Sequence, residues 1–350
     1  MRQSIFRRSA AALLAALFFA VLVQKMAMAE SPERRSIGHI ERLDPALDKL
    51  IPSDAKIEVI GEGFAWCEGP VWVRDGGFLL FSDIPHNLIV RWGAKNGCRP
   101  FIKPAGYTGS DPRGGESGSN GLTMDRGGHL VLCQHGDRRI AQLEWPFDTK
   151  NPTYKTLADR FDDKRFNSPN DLVVDSHGAV YFTDPPYGLE KGMDDPKKEL
   201  AFQGVYRIAP DGKVSLLTKE LARPNGIALS PDEKTLFVCN SDADQPVIMA
   251  YPLNTDGTIS EGREFFNAKT AGATGPGACD GMKVDTHGNL FATIPGGLAV
   301  FTPEGKQLGL ISAGGDPIAN CAFGEDGSTL FMCANHNVLR LRTNTKGQSF

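Results

Sequence analysis

The stretch Gly178-Ala-Val-Tyr-Phe-Thr-Asp184 decides the fold, because five other segments of the chain repeat its pattern of small, branched and aromatic residues. The other copies are GFLLFSD (77–83), GHLVLCQ (128–134), KTLFVCN (234–240), GNLFATI (288–294) and STLFMCA (328–334). Successive copies lie 40 to 56 residues apart, a period typical of the blades of a β-propeller. Six copies therefore predict six blades.

A second short apolar segment precedes each copy, across a turn that in most copies is rich in Asp and Gly and typical of a hairpin. These segments are GPVWV (69–73), GLTMD (121–125), DLVVD (171–175), GIALS (226–230), GMKVD (281–285) and CAFGE (321–325). Two further strands follow most copies, but the last copy has only one, Val338-Leu-Arg-Leu-Arg342, before the chain ends. An unpaired strand at 57–60 precedes the first copy, and pairing the two would remove two exposed sheet edges. The sequence thus predicts an all-β, six-bladed propeller whose N-terminal strand closes the last blade.

The composition excludes one large class of partners. The 350 residues are 41% hydrophobic and 23% charged, with a formal net charge of −4. Because no surplus of positive charge is available to hold a polyanion, nucleic-acid binding is not expected.

The first residues predict export from the cytoplasm. Three arginines, Arg2, Arg7 and Arg8, precede an apolar run over 10–23, and Ala27-Met-Ala29 follows as a cleavage-like site. This order is typical of a secretory signal peptide, and the run is short for a membrane anchor. We therefore predict a signal peptide over 1–29, a propeller domain over 30–350, no membrane association after cleavage, and a periplasmic or secreted protein. Both the general and the twin-arginine export routes remain open.

Seven cysteines occur, without a CxxC pair. Cys133, Cys239 and Cys333 share one position of the repeat, which Ser or Thr occupies in the other copies. This exchange favours structural thiols over disulfides or a thiolate metal site.

One polar position recurs ten or eleven residues before the third residue of each copy. Every residue there is a carboxylate or a carboxamide: Glu68, Asn120, Asn170, Asn225, Asp280 and Asn320. A single Asn or Asp at this point would be interpreted as a turn cap. Six in register at the start of the innermost strands predict oxygen donors that converge on the propeller axis, which suits Ca²⁺ better than Zn²⁺.

Strand direction predicts the rest of this face. The second strand of each blade returns to the end where the axial residues lie, so its last residue and the loop that follows approach the same site. This places His135, Asp184 and Tyr187 near the axis, together with the long connections 103–119 and 185–202, which are of the length that commonly builds binding sites.

The sequence resembles the gluconolactonase family, which includes the senescence-marker and regucalcin-type lactonases, and most closely its exported bacterial members. The resemblance spans roughly residue 37 to the C-terminus and rests on Glu68-Gly-Pro-Val-Trp, Phe166-Asn-Ser-Pro-Asn170-Asp-Leu, Phe182-Thr-Asp-Pro-Pro-Tyr-Gly188, Arg223-Pro-Asn225-Gly and Asp280-Gly-Met. It implies a divalent cation, usually Ca²⁺, on Glu68, Asn170, Asn225 and Asp280, with Mg²⁺, Mn²⁺ and Zn²⁺ left open. Two positions of this chain differ from the family. Some relatives carry Arg at the position of Ser168, and Pro is common in relatives at the position of Cys279.

The predicted activity is metal-dependent hydrolysis of an aldonolactone such as glucono-1,5-lactone. Asp280 would act as the general base for an attacking water, while Asn120 and His135 would orient sugar hydroxyls beside Asp184 and Tyr187. No strained Ser elbow is apparent that would indicate a nucleophilic side chain. Two alternatives remain: hydrolysis of other lactones or of phosphotriesters on the same fold, and a non-catalytic propeller that binds a protein or glycan.

Overall fold

The computed structural model describes residues 34–144, 149 and 151–348. The predicted signal peptide, residues 1–29, lies outside these residues. From Ser36 onward the described residues form one compact unit. No helix among them has the length and apolar character needed to cross a membrane.

The described residues form 27 strands and two short 3₁₀ helices. Two strands precede the first blade: β1 (His39–Arg42) and β2 (Glu58–Glu62). Blades one and two consist of β3 (Cys67–Val73), β4 (Phe78–Asp83), β5 (Leu88–Gly93) and β6 (Gly97–Ile102), then β7 (Ser119–Met124), β8 (Leu130–Gln134), β9 (Arg139–Leu143) and β10 (Tyr154–Ala158). A small hairpin follows, made of β11 (Arg160–Phe161) and β12 (Lys164–Arg165).

Blades three and four consist of β13 (Leu172–Val174), β14 (Val180–Asp184), β15 (Gly204–Ile208) and β16 (Val214–Thr218), then β17 (Pro224–Leu229), β18 (Thr235–Asn240), β19 (Val247–Pro252) and β20 (Arg263–Asn267). Blades five and six contain β21 (Met282–Val284), β22 (Leu290–Ile294), β23 (Gly297–Phe301) and β24 (Gln307–Ser312), then β25 (Asn320–Gly324), β26 (Thr329–Ala334) and β27 (Asn337–Arg342). The 3₁₀ helices span Pro45–Lys49 and Gly192–Asp194.

Each blade is an antiparallel sheet in which strands adjacent in sequence pair with each other, and blades five and six each gain one further strand from the N-terminal segment. The innermost strands contact one another in a closed cycle, from β3 through β7, β13, β17, β21 and β25 back to β3. This cycle confirms the predicted six-bladed propeller.

The ring closes as the sequence predicted. Strand β2 pairs with β27, so the N-terminal strand forms the outer edge of blade six, with Val59 opposite Leu339. Between blades six and one, Trp72 stacks on Phe331 with ring centroids 5.5 Å apart. Two elements were not predicted: β1 pairs with β24 as a fifth strand of blade five, and β11 pairs with β12 outside the blades.

The contact of β27 with the N-terminal strand predicts a stability effect. Leu339 is fully buried, and its substitution by Ala would leave a cavity beside β2. We expect Leu339→Ala to lower the free energy of unfolding by about 2–5 kcal/mol, measured by urea denaturation. Leu43→Ala is the control, because Leu43 is 53% exposed and such surface changes cost less than about 0.5 kcal/mol. Equal effects of the two substitutions would contradict this role of β27.

Candidate functional site at the propeller axis

The axial polar residues lie where the innermost strands begin. Glu68, Asn120 and Asn225 are in β3, β7 and β17, and Asn170 and Asp280 each stand two residues before an innermost strand. All five line one cavity of about 380 Å³, together with Trp66, Glu116, Tyr187, Arg223, Ser241, Asp242, Ala243 and Ala278. The structure therefore brings together the four residues predicted as metal ligands.

Glycines permit this convergence. A Cβ atom at Gly69, whose φ is +52°, would lie 2.0 Å from the carbonyl oxygen of Asn120 in the next blade. At Gly226 a Cβ atom would lie 2.0 Å from the carbonyl oxygen of Asp280. A side chain at either position would push the neighbouring axial residue away, so the pairs Glu68-Gly and Asn225-Gly are required by close approach.

Hydrogen bonds aim the carboxamide of Asn225 at the cavity. Its Nδ2 donates to Ser241 Oγ at 2.9 Å, and Ser241 Oγ donates to the carbonyl of Cys279 at 2.7 Å. This leaves Asn225 Oδ1 buried without a hydrogen-bond partner among the described residues, and Asn120 Oδ1 is in the same condition. Since a buried unpaired acceptor is costly, two such oxygens on one cavity indicate a site for a ligand that binds oxygen.

The carboxylates give the site strong negative character. Burial raises the pKa of Glu68 to about 8, and the nearby charge of Asp171 adds to the shift while the Gly69 amide opposes it. Removal from water, followed by the charges of Glu68 and Asp171, raises the pKa of Asp280 well above its usual range. Arg223 is the one basic side chain among the described residues that line the cavity, so a bound cation would relieve this repulsion.

The donors are mixed in type. No group of three or more His, Cys, Asp or Glu side chains within the described part of the chain is arranged to hold a metal ion. A cation here would therefore depend on the carboxamide oxygens of Asn170 and Asn225 as well as on the carboxylates of Glu68 and Asp280. This is the all-oxygen chemistry that Ca²⁺ and Mg²⁺ accept.

The sixth axial residue has a different task. Asn320 does not line the cavity; its Nδ2 donates to Glu68 Oε2 at 3.0 Å and lies 3.5 Å from Asp171 Oδ2. Asn320 therefore holds the buried carboxylate of Glu68 in position by a hydrogen bond from outside the cavity lining.

Two of the four predicted substrate residues line the cavity, namely Asn120 and Tyr187. The half-buried Tyr187 contacts the side chains of Ser241 and Arg223 through its hydroxyl, and burial, followed by the charge of Asp280, raises its pKa. Its phenol thus stays neutral and can donate a hydrogen bond into the cavity.

The other two predicted substrate residues lie outside the cavity lining. Asp184 is fully buried and accepts hydrogen bonds from the backbone amides of Asn167 and Ser168, each at 2.8 Å. Burial raises the pKa of Asp184 to about 7, partly offset by these two amides. Asp184 therefore shapes the segment that leads to Asn170.

His135 is fully buried, with Nδ1 3.4 Å from Glu116 Oε2. Neither ring nitrogen has a hydrogen-bond partner among the described residues. His135 packs against Gly188, where an added Cβ would lie 2.5 Å from the His135 Cβ. Its connection to the cavity therefore runs through the carboxylate of Glu116, which does line the cavity.

Three charged residues at or beside the cavity were not singled out from the sequence. Glu116 comes from the long connection 103–119, whose length was the available signal. Arg223 lies two residues before Asn225, at the repeat position that Ser168 occupies in blade three. Asp171 stands where glycine follows the axial residue in four other blades, so a carboxylate at that position was its signal.

The crowded carboxylates predict that the site weakens the metal-free fold. In the presence of a chelator at neutral pH, Glu68→Gln should raise the melting temperature by a few degrees, because a neutral amide is buried here at lower cost than a carboxylate beside Asp171 and Asp280. Thermal unfolding followed by circular dichroism measures the change. The control is Glu304→Gln at an exposed turn, which should leave the melting temperature unchanged. A lower melting temperature for Glu68→Gln than for the wild type would contradict the expectation.

Comparisons with known proteins assign the family. The model of the SMP-30/gluconolactonase/LRE-like region matches residues 66–336. The chain is 44% identical over 322 residues to a gluconolactonase of Zymomonas mobilis, covering 89% of this chain and 88% of that protein. It is 29% identical to the solved gluconolactonase of Xanthomonas campestris, with a TM-score of 0.74 and coverage of 90% and 99%. Regucalcin of Oryctolagus cuniculus is 29% identical over 296 residues, covering 82% and 89%. The chain therefore belongs to the SMP-30/gluconolactonase/LRE-like family.

Proposed function

We propose that the protein hydrolyses an aldonolactone of the glucono-1,5-lactone type to its open hydroxy acid. A divalent cation at the axial site, with Ca²⁺ as the first candidate, would assist the reaction. Membership of the family, with 44% identity to a gluconolactonase over most of both chains, makes the chain a lactone-hydrolysing enzyme. The sugar lactone and the cation are the proposed parts. A periplasmic or secreted location is likewise a proposal, which rests on the sequence of residues 1–29.

The observation that carries the cation is Asn225 Oδ1, a buried carboxamide oxygen that has no hydrogen-bond partner among the described residues and that lies on the same cavity as the carboxylates of Glu68 and Asp280. Asn120 Oδ1, in the same condition on this cavity, is left for the substrate. Glu68, Asn170, Asn225 and Asp280 would hold the ion. Hard oxygen donors suit Ca²⁺, Mg²⁺ and Mn²⁺, whereas Zn²⁺ prefers His and Cys. Two of the four donors are carboxylates, which balance the charge of a dication.

When bound, such a cation polarises the lactone carbonyl and stabilises the oxyanion that develops on it. The protein supplies the proton transfer. Asp280 lies half-buried at the cavity, and its backbone amide donates to Thr293 Oγ1 at 2.9 Å, which fixes its place. Its carboxylate oxygen would take the proton from the attacking water as the general base. Asn120 and Tyr187 would bind the ring hydroxyls.

The cavity favours a small polar substrate over a hydrophobic one. Its volume of about 380 Å³ is at the small end of the range for ligand sites. Of the thirteen lining residues, the aliphatic or purely aromatic ones are Trp66, Ala243 and Ala278. The other ten carry polar or charged groups that can form hydrogen bonds to hydroxyls, so a polyhydroxylated lactone is preferred to a long-chain lactone or a lipophilic phosphotriester.

This preference predicts a kinetic ranking. With Ca²⁺ supplied, kcat/KM for glucono-1,5-lactone should exceed that for a long-chain γ-lactone and for an aryl phosphotriester by at least about 100-fold, since pockets that hydrogen-bond hydroxyls reject analogues without them. Initial rates by pH-indicator assay, with and without EDTA, give the comparison. Faster turnover of either competitor would replace the proposed substrate class.

A substitution of Asp280 tests both the proposed cation site and the proposed general base. Asp280→Asn should weaken Ca²⁺ binding at least about 10-fold and lower kcat/KM by about 100-fold or more, because it removes an anionic ligand and the proton acceptor together. Isothermal titration calorimetry and initial rates measure the two effects. The matched control is Asp244→Asn, at an exposed residue of the same loop as Asp242 but outside the cavity lining. Undiminished Ca²⁺ affinity and turnover in Asp280→Asn would refute the axial site.

A further inference from the structure

Two positions of the repeat come from neighbouring blades and lie near the axis: the penultimate position of the second strand, and the residue that precedes the axial residue of the next blade. At the junction of blades one and two these positions are in direct contact, with Ser82 Oγ and Ser119 Oγ hydrogen-bonded at 2.8 Å. The repeat implies the same juxtaposition at the other five junctions. Around the ring the pairs are Ser82/Ser119, Cys133/Pro169, Thr183/Pro224, Cys239/Cys279, Thr293/Ala319 and Cys333/Cys67.

Two of these junctions therefore carry a cysteine on both sides. At the junction of blades six and one, Cys67 is held against the β26–β27 hairpin, because its amide donates to Asn335 O and its Sγ to Asn337 O, each at 3.0 Å. Cys333 lies in β26 of that hairpin, opposite Val338, one residue from the position paired with Asn337. Both thiols are fully buried in one hydrophobic cluster.

The junction of blades four and five repeats this arrangement. Cys239 and Cys279 are both fully buried and share a second hydrophobic cluster. Their backbones occupy the repeat positions of Ser82 and Ser119, whose side-chain oxygens are in contact. Two cysteine side chains at the spacing of Ser82 and Ser119 can reach the bonding distance of a disulfide with small rotamer changes.

We propose that Cys67/Cys333 and Cys239/Cys279 are two dithiol sites that oxidise to disulfides between blades. All seven cysteines are thiols in this structure, so each bond requires an oxidant, which we assign to the class of small-molecule or protein disulfides. One thiolate attacks the oxidant and releases one thiol, and the partner thiolate then attacks the mixed disulfide and releases the second. Each site loses two electrons and two protons, and one oxidant disulfide becomes two thiols. Cys98, Cys133 and Cys321 remain as thiols.

Burial determines when the reaction takes place. It raises the pKa of Cys333 and of Cys239 well above that of a free thiol, so the folded junctions contain little thiolate and resist exchange. The bonds would form while the blades assemble and would then be shielded. The bond at Cys67 and Cys333 would join the first blade to the last, in addition to the pairing of β2 with β27. This proposal is independent of the lactonase activity.

The test compares the chain from Glu30 onward, which lacks the predicted signal peptide and therefore stays in the cytoplasm, and whose residues from Ser36 onward form one compact unit. It is produced in two bacterial hosts, one with a reducing cytoplasm and one with an oxidising cytoplasm that contains a disulfide isomerase. Each product is denatured, alkylated with iodoacetamide, and examined by intact mass and peptide mapping. We expect seven alkylated cysteines from the reducing host and three from the oxidising host, with linked peptides 67–333 and 239–279. Seven alkylated cysteines from both hosts, or a linked peptide that contains Cys98, would overturn the proposal.

Single substitutions of cysteine distinguish the two proposed disulfides from each other and from Cys98. In the oxidising host Cys67→Ser, which introduces the residue found at position 119, should give four alkylated cysteines and keep only the 239–279 link. Cys98→Ser, the matched control, should give two and keep both links. The oxidised wild type should melt on the order of 5–10 °C above its reduced form, and Cys67→Ser should lose part of this difference while Cys98→Ser retains it. Equal behaviour of the two variants would contradict the assignment.

A second variant tests the geometry even if Cys67→Ser fails to fold. The double substitution Ser82→Cys with Ser119→Cys places a dithiol at the junction where the contact is measured directly. In the oxidising host we expect a third link, 82–119, and still three alkylated cysteines. Five alkylated cysteines without that link would show that the shared junction geometry does not support a disulfide.

Discussion

The close approach of neighbouring axial residues is the constraint on which the rest of the structure depends. The carbonyl of Asn120 lies against Gly69, and that of Asp280 lies against Gly226, each closer than a Cβ atom would allow. The Gly121 amide also donates to the Asn170 carbonyl at 2.7 Å. Because six blades share one axis, contacts this short bring every axial side chain next to its neighbours. The chemistry of the site follows from which side chains stand there.

Equivalent positions in the repeat acquire different tasks through their neighbours. Asn225 gives its amide hydrogens to Ser241 and keeps its oxygen for the cavity, whereas Asn320 gives its amide hydrogens to the carboxylate of Glu68. Asp171 adds a further charge where four other blades have glycine. The protein supplies little positive charge in return, so Glu68 and Asp280 are held at a cost that a bound cation would remove.

The blade strands and the convergence of the axial residues could be predicted from the sequence, because each recurs six times along the chain. The closure by β2 could be predicted because the last copy lacks a strand and an unpaired strand precedes the first copy. The burial of His135 could not, since it depends on how the 103–119 connection folds over it and places Glu116 beside the ring. Strand β1 was also missed, because four residues outside the repeat carry no periodic signal. The cysteine positions were visible in the repeat, but only the fold shows that positions from adjacent blades face each other.

A larger cavity, of about 1040 Å³, lies at the other end of the innermost strands, where Val73, Met124 and Val284 stand. Its size does not make it the better candidate for chemistry. Its charged lining residues are of both signs, including Arg126 and Lys283 beside Asp125 and Glu233. None of the buried polar side-chain atoms that lack a partner among the described residues belongs to its lining, whereas Asn120 Oδ1 and Asn225 Oδ1 belong to the smaller cavity. Unsatisfied oxygens and unbalanced charge, which a ligand can relieve, therefore make the narrower end the candidate functional site.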